Sequence, residues 1–235
     1  MTPAAFDTVA AFDFDGTLTR GGSVLPFLAR VRGPVPVALA VLRNLPAIAR
    51  SAVLGGAAGD RVKESLFVRL LAGVPADDVR AAGVEFARRH LHRRLRVDTR
   101  ARLEWHRAQG HAVVVVSASP ECYVGPAAEL LGADAALATR LAVSGDLLTG
   151  RYDGKNCRGG EKYIRVMGWL RARGGPDRPD LWAYGNSRGD LRLLAAADHA
   201  VDTGRLGPFG RLRRYPSLRT VVGRPAADRP TPDPA

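Results

Sequence analysis

Apolar residues fall along this chain in two rhythms. Residues 8–14 (TVAAFDF) form a short run and residues 111–119 (HAVVVVSAS) a stronger one. Four consecutive valines in the second mark a strand buried on both faces, as in a parallel sheet. The segments 181–186 (LWAYGN) and 199–203 (HAVDT) predict two more strands, each running out into polar or glycine residues. Helical stretches over about 120–132, 159–173 and 187–196 lie between them. Strands alternating with helices predict an α/β class, a doubly wound parallel sheet. Residues 141–152 (LAVSGDLLTGRY) instead predict a β-hairpin turning at Gly145-Asp146.

Residues 20–95 break the alternation. They are helical in composition, with turn signals at RGP (32–34), GGAAGD (55–60) and GVPADD (73–78). This predicts a helical insert after the first strand, with a return through a helix over 99–110. The expected organisation is a core of residues 1–19 and 96–222, an insert of 20–95, and a disordered Pro-rich tail, 223–235. The apolar stretch 34–59 is interrupted by Arg43, Pro46 and Arg50. It predicts a buried or interfacial helix, without stable membrane insertion.

With 46% hydrophobic and 25% charged residues in 235, the chain has the composition of a soluble globular protein. Its formal charge of +12 should draw anionic ligands. The arginines are scattered, with no basic-aromatic block, which argues against a nucleic-acid partner. Two cysteines cannot build a disulfide framework, and the first strand follows closely on a beginning that has no signal-peptide pattern, so a cytoplasmic protein is expected. Nothing in the sequence fixes an oligomeric state.

Ligands of open α/β sheets bind beyond the carboxyl ends of the strands. The residues there are Asp13 and Asp15, Ser117 and Ser119, and Asn186 with Asp190, with Lys162 nearby. Residues i and i+2 of a strand share a face, so Asp13 and Asp15 can share one site while Phe12 and Phe14 pack opposite. Gly16 lets the chain turn away. Two close carboxylates repel unless a cation or a shared proton intervenes. Mg²⁺ is a hard cation that takes one or two carboxylates and a substrate phosphate. A carboxylate beside it could attack phosphorus, and the second could move the proton. Lys162 would balance phosphoryl charge, and Ser117 with backbone N–H groups would hold the oxygens.

Four segments carry a resemblance. DFDGT (13–17), VVVVSAS (113–119), Lys162 at a helix start and GNSRGD (185–190) resemble, in order, the four motifs of the haloacid dehalogenase superfamily. The insert after the first motif resembles the helical cap of its phosphoserine-phosphatase-like branch, and 149–162 (TGRYDGKNCRGGEK) is similar to that branch too. The resemblance implies a Mg²⁺-dependent phosphatase for a small-molecule phosphomonoester. Asp13 would be nucleophile and metal ligand, and Asp15 the acid/base, with its carbonyl on the metal. Ser117, the Ala118 N–H, Thr17 and Gly16 would form the phosphate-binding set, with Thr17 and Gly16 also shaping the loop. Lys162, or alternatively Arg158, would pair with phosphate and nucleophile. Asn186 and Asp190 would complete the metal site.

Two positions depart from the family pattern. Asn186 stands where the fourth motif usually has aspartate, so the site loses a negative charge. Gly22 or Ser23, and Phe67, fall where phosphoserine phosphatases carry a cap glutamate and arginine, which disfavours phosphoserine as substrate. Alternatives are a phosphotransferase, a catalytically weakened binding protein of the same fold, and a response-regulator receiver, which would lack so long an insert. Ser119 is expected to cap a Pro-started helix. Arg61 and Lys63 are read as a solvated helix face, Cys157 as buried or structural, and the five histidines as without chemistry.

Overall fold

The computed structural model describes residues 6–54, 56–204 and 215–222. The tail expected to be disordered, 223–235, lies outside the described residues. In chain order the elements begin with β1 (Thr8–Phe12) and the insert helices α1 (Val24–Arg32), α2 (Pro34–Arg43), α3 (Leu45–Leu54), α4 (Gly56–Leu71) and α5 (Ala76–Arg94). Next come α6 (Val97–Ala108), β2 (Ala112–Pro120), α7 (Glu121–Leu130) and β3 (Ala135–Thr139). The hairpin strands β4 (Leu141–Ser144) and β5 (Leu147–Tyr152) precede α8 (Gly160–Arg171), β6 (Asp180–Gly185), α9 (Leu191–Ala196), β7 (His199–Asp202) and α10 (Leu218–Val222).

Five strands form one parallel sheet in the order β3-β2-β1-β6-β7. Period-2 alternation divides their side chains between two cores. Val9 and Ala11 of β1, with Val114 and Val116 of β2, pack on Val166 and Leu170 of α8. Ala10, Phe12, Val113 and Val115 face the other way, towards Leu103 of α6 and Tyr123 and Val124 of α7. Helices therefore cover both faces, as a doubly wound sheet requires. The chain leaves β1 for β2 on one side and returns to β6 on the other, so the strand order switches at β1–β6. A crevice at the carboxyl ends is expected there.

Four departures from the sequence reading have physical causes. β3 (AALAT) is a fifth strand, hidden because alanine has no β preference. The stretch 34–59 is three helices, not one: Pro46 removes a backbone donor, and Asn44 ends α2 with its Nδ2 donating to Ala40 O at 2.8 Å. Of the turn signal at 55–60, residues 56–60 are already helical, since α4 starts at Gly56, while residue 55 lies outside the described residues. α9 starts only at Leu191, the turn before it being taken up by the 186–190 loop. The hairpin is found as expected, with Gly145 at φ +57°.

The insert helices seat on the core through α5, which packs along α7. At Gly83 an added Cβ would lie 2.1 Å from the Cys122 carbonyl oxygen, so only glycine permits this approach. An aromatic cluster fills the joint: Phe27 of α1 and Phe86 of α5 lie 4.6 and 5.1 Å from the ring of Tyr123. No helix among the described residues is long and apolar enough to cross a membrane.

Candidate active site

Asp13 follows β1 directly, and its N–H still donates to Tyr184 O of β6 at 2.9 Å. The ladder thus fixes the base of its side chain. One carboxylate oxygen accepts from Lys162 Nζ at 2.6 Å and the other from Thr17 Oγ1 at 3.1 Å. Thr17 is itself held by Thr203 Oγ1 at 3.1 Å. The N–H groups of Thr17, Leu18 and Thr19 all converge on the Phe14 carbonyl, curling the loop back on itself.

Lys162, in the first turn of α8, is buried between two carboxylates, with its Nζ 2.6 Å from Asp190 Oδ1 as well. Arg158, the alternative, turns away to Asp60 at 3.3 Å and the Gly56 carbonyl. The other oxygen of Asp190 accepts from Asn186 N–H, Ser187 N–H and Ser187 Oγ at 2.7–3.1 Å. Asp190 is therefore saturated by donors, and it buttresses both the lysine and the 186–190 loop. Burial, and then the charge of Asp190, push the Asp13 carboxyl up to about 7 against the pull of Lys162. Burial also works to raise Asp190, but Lys162 and the loop donors outweigh it and hold that carboxyl below the usual range. The lysine's charge is shared unequally: Asp190 is the fixed anion, and Asp13 the adjustable one.

Asn186 lies across Gly16. That glycine has φ +82°, and an added Cβ would meet Asn186 Nδ2 at 1.8 Å, so both the turn and the close approach demand glycine. The Asn186 Oδ1 and Asp15 Oδ1 atoms are buried without a hydrogen-bond partner. Such orphaned acceptors call for a donor or a cation. Among the described residues no group of three or more His, Cys, Asp or Glu side chains gathers at metal-binding spacing. A cation here would rest on the Asp13 carboxylate, the Asn186 amide oxygen and a backbone carbonyl, a hard-oxygen set.

Asp15 Oδ2 accepts from Ser23 Oγ at 2.9 Å and from Ser119 Oγ at 2.5 Å. Ser23 in turn lies 2.8 Å from the Tyr123 hydroxyl. Tyr123 is wholly buried, which keeps its phenol protonated and well above its ordinary value. The chain of donors therefore runs from Tyr123 to Ser23 to Asp15. This corrects the reading of Ser119, which binds Asp15 while Pro120 occupies the cap position of α7. Ser117 is buried in the last half of β2, three residues before its end, its Oγ accepting the Ser119 N–H at 3.1 Å. The register sets Phe12 opposite Val115, so Ser117 stands just beyond the level of Asp13.

Lys63 is not solvated, as the sequence reading had it. It reaches from α4 to the Ala118 carbonyl at 2.7 Å and Asn156 Oδ1 at 3.2 Å, and burial lowers its ammonium to about 8. Arg61 is exposed as expected. Arg96, unnoticed in the sequence, clamps the first loop by donating to Gly16 O and Thr203 O. Cys157 is buried, its Sγ on Leu137 O at 3.1 Å, and burial raises its thiol to about 11. His90 is buried against Phe86, with Nε2 unpartnered, and its imidazole is lowered by burial.

A profile of the haloacid dehalogenase-like hydrolases matches residues 10–195, spanning every strand-end residue of this site except Thr203. The chain belongs to that family. Protein CicA of Caulobacter vibrioides is 38% identical over 191 residues, 81% of this chain and 83% of that protein. A Mycobacterium tuberculosis protein named as a probable phosphatase is 38% identical over 117 residues, 48% of this chain and 38% of its own length. Among solved structures, a protein of unknown function from Bordetella pertussis Tohama I superposes with a TM-score of 0.71 at 26% identity, over 83% of this chain and 90% of that one. A phosphoserine phosphatase solved as its phospho-aspartyl intermediate analogue gives 0.60 at 20%, over 84% and 87%. The fold is thus that of the phosphoserine-phosphatase-like branch of the haloacid dehalogenase-like hydrolases.

Proposed function

We propose that this hydrolase is a cytoplasmic Mg²⁺-dependent phosphatase, cleaving small-molecule phosphomonoesters through an aspartyl-phosphate on Asp13. The observation that carries the reading is the buried Asp13–Lys162–Asp190 arrangement beside an orphaned Asn186 oxygen at the strand-order switch. The M. tuberculosis relative's name and the phosphoserine phosphatase fold support phosphoryl chemistry.

In this reading the Asp13 carboxylate, the Asp15 carbonyl and the Asn186 amide oxygen hold Mg²⁺, with Asp190 fixing the loop behind them. When bound, the cation neutralises phosphoryl charge and polarises the phosphorus. Asp13 forms the bond to phosphorus as the ester P–O bond breaks, and Asp15 gives its proton to the leaving oxygen. Water then loses a proton to Asp15 and attacks phosphorus, releasing phosphate and restoring the Asp13 carboxylate. The Ser117 hydroxyl and the Ala118 N–H hold phosphoryl oxygens, and Lys162 balances their charge. The two serines on Asp15 Oδ2 leave Oδ1 to carry the proton.

Residues 20–95 act as a cap over the core of 1–19 and 96–222 and choose the substrate. Phosphoserine is disfavoured, because Ser23 is committed to Asp15 and Phe67 is buried edge-on to Tyr152, 6.1 Å between ring centroids. Replacing Asp13 by Asn tests the function: phosphate release from p-nitrophenyl phosphate with Mg²⁺ should disappear, and persistence would remove Asp13 from the chemistry.

A further inference from the structure

We propose that the outer face of α2 and α3 docks on a bilayer carrying anionic lipid. α2 reads PVPVALAVLR, with no polar side chain before Arg43. A helix apolar on every side is normally buried on every side. This one is buried on one side only. Val37 and Ala40 face the protein, where α2 packs on α1, α3 and α4. Val35, Leu39 and Leu42, at i, i+4 and i+7, stand open to solvent at 66, 46 and 61% exposure. Leu45 at the start of α3 and Leu25 of α1, helices that α2 packs against, are exposed as well. Five of the twelve exposed large apolar side chains among the described residues thus fall within residues 25–45, a concentration that marks an interaction surface.

Charge selects the occupant. Residues 16–59 contain no Asp or Glu; Arg32 ends α1, Arg43 ends α2 and Arg50 lies on α3, whereas Arg30 is paired with Glu85 at 2.6 Å and Arg20 lies in a cleft beside Arg96. An apolar helix face flanked by arginines suits the boundary between lipid headgroups and acyl chains, where area burial and attraction to anionic lipid add together. A second copy of the chain fits poorly, because joining two such faces would bring both sets of arginines together. No helix among the described residues can span the membrane, so the surface lies on the bilayer. Because α2 seats on other insert helices, docking leaves the strand-end residues untouched.

Flotation of the full chain with vesicles tests this. The protein should float with phosphatidylcholine vesicles containing phosphatidylglycerol, stay behind with pure phosphatidylcholine, and lose binding as salt rises. The double variant Leu39→Glu, Leu42→Glu should weaken binding at least about tenfold, since burying one leucine is worth that much. Its hydrolysis of soluble p-nitrophenyl phosphate and its circular dichroism should match the parent. The variant Arg43→Glu, Arg50→Glu should lose the preference for anionic vesicles. Failure of the parent to float, or equal flotation of the leucine variant, overturns the proposal. So does a parent dimer that the leucine substitutions split, because the face would then be covered by a second copy.

Discussion

Lys162→Met is the most informative single change in this protein. The lysine Nζ lies 2.6 Å from both Asp13 and Asp190, with all three side chains buried, so water cannot take its place. Methionine keeps the stem and removes the charge. Breaking a buried ion pair from one side costs about 3–5 kcal/mol, because the partners are left charged in a poor solvent. For a chain of this length that lowers the melting temperature by roughly 6–20 °C. The loss should depend on pH. With the lysine in place Asp13 gives up its proton near pH 7; without it, the facing carboxylates keep that proton in the folded state to higher pH, whereas the unfolded chain has lost its own in the ordinary carboxylate range. Folded protein then binds more protons than unfolded protein, so stability falls as pH rises, by about 1.4 kcal/mol per unit for each such proton. Urea denaturation of the metal-free protein at about pH 5.5 and pH 8 reads the effect. The deficit relative to the parent should be larger at pH 8, and adding Asp190→Asn should relieve part of it. A deficit below about 1 kcal/mol, or one unchanged with pH, would refute the account of the buried triad.

Three further outcomes follow from the site. Asn186→Asp restores a charge at the cation position, so Mg²⁺ should bind roughly tenfold more tightly by calorimetry; weaker binding would show that Asn186 is not a ligand. Metal-free Asp13, raised to about 7, must lose its proton to hold a cation. Mg²⁺ binding should therefore tighten as pH rises towards 7 and release protons, read by calorimetry in buffers of different ionisation enthalpy. Ser23→Ala removes one of the two donors on Asp15 Oδ2, so hydrolysis of an alkyl phosphate should slow about tenfold, with p-nitrophenyl phosphate affected little. Equal losses on both esters would mean that Ser23 does not act through the proton-transfer group.

How much of this was legible in the sequence depended on range. Strands β1, β2 and β6 announced themselves because β-branched and aromatic residues fall in short bounded runs, and β7 because a short apolar pair runs out into polar residues after a helix, whereas the alanines of β3 carry no such signal. Asp13, Lys162, Asn186 and Asp190 could be found because each sits at a strand end or helix start that local patterning already locates. Choosing Lys162 over Arg158 could not be settled that way, since both lie near the start of α8 and only the packing turns Arg158 to Asp60. Ser23, Tyr123 and Lys63 reach partners far along the chain through the seating of the insert helices, and Arg96 reaches Gly16 and Thr203 from the start of α6. Ser119 was misread for the same reason: its local context suits a helix cap, and the competing acceptor, Asp15, is 104 residues away.

The central claim is that Asp13 carries the phosphoryl group during turnover. Mixing the protein with Mg²⁺ and a phosphomonoester, quenching rapidly in acid and mapping the peptides by mass spectrometry tests it directly. A phosphoryl group labile to hydroxylamine should appear on the peptide that holds Asp13, and it should accumulate when Asp15 is replaced by Asn, provided the ester has a good leaving group. A label on another residue, or steady turnover with Asp13 replaced by Asn, would contradict the account.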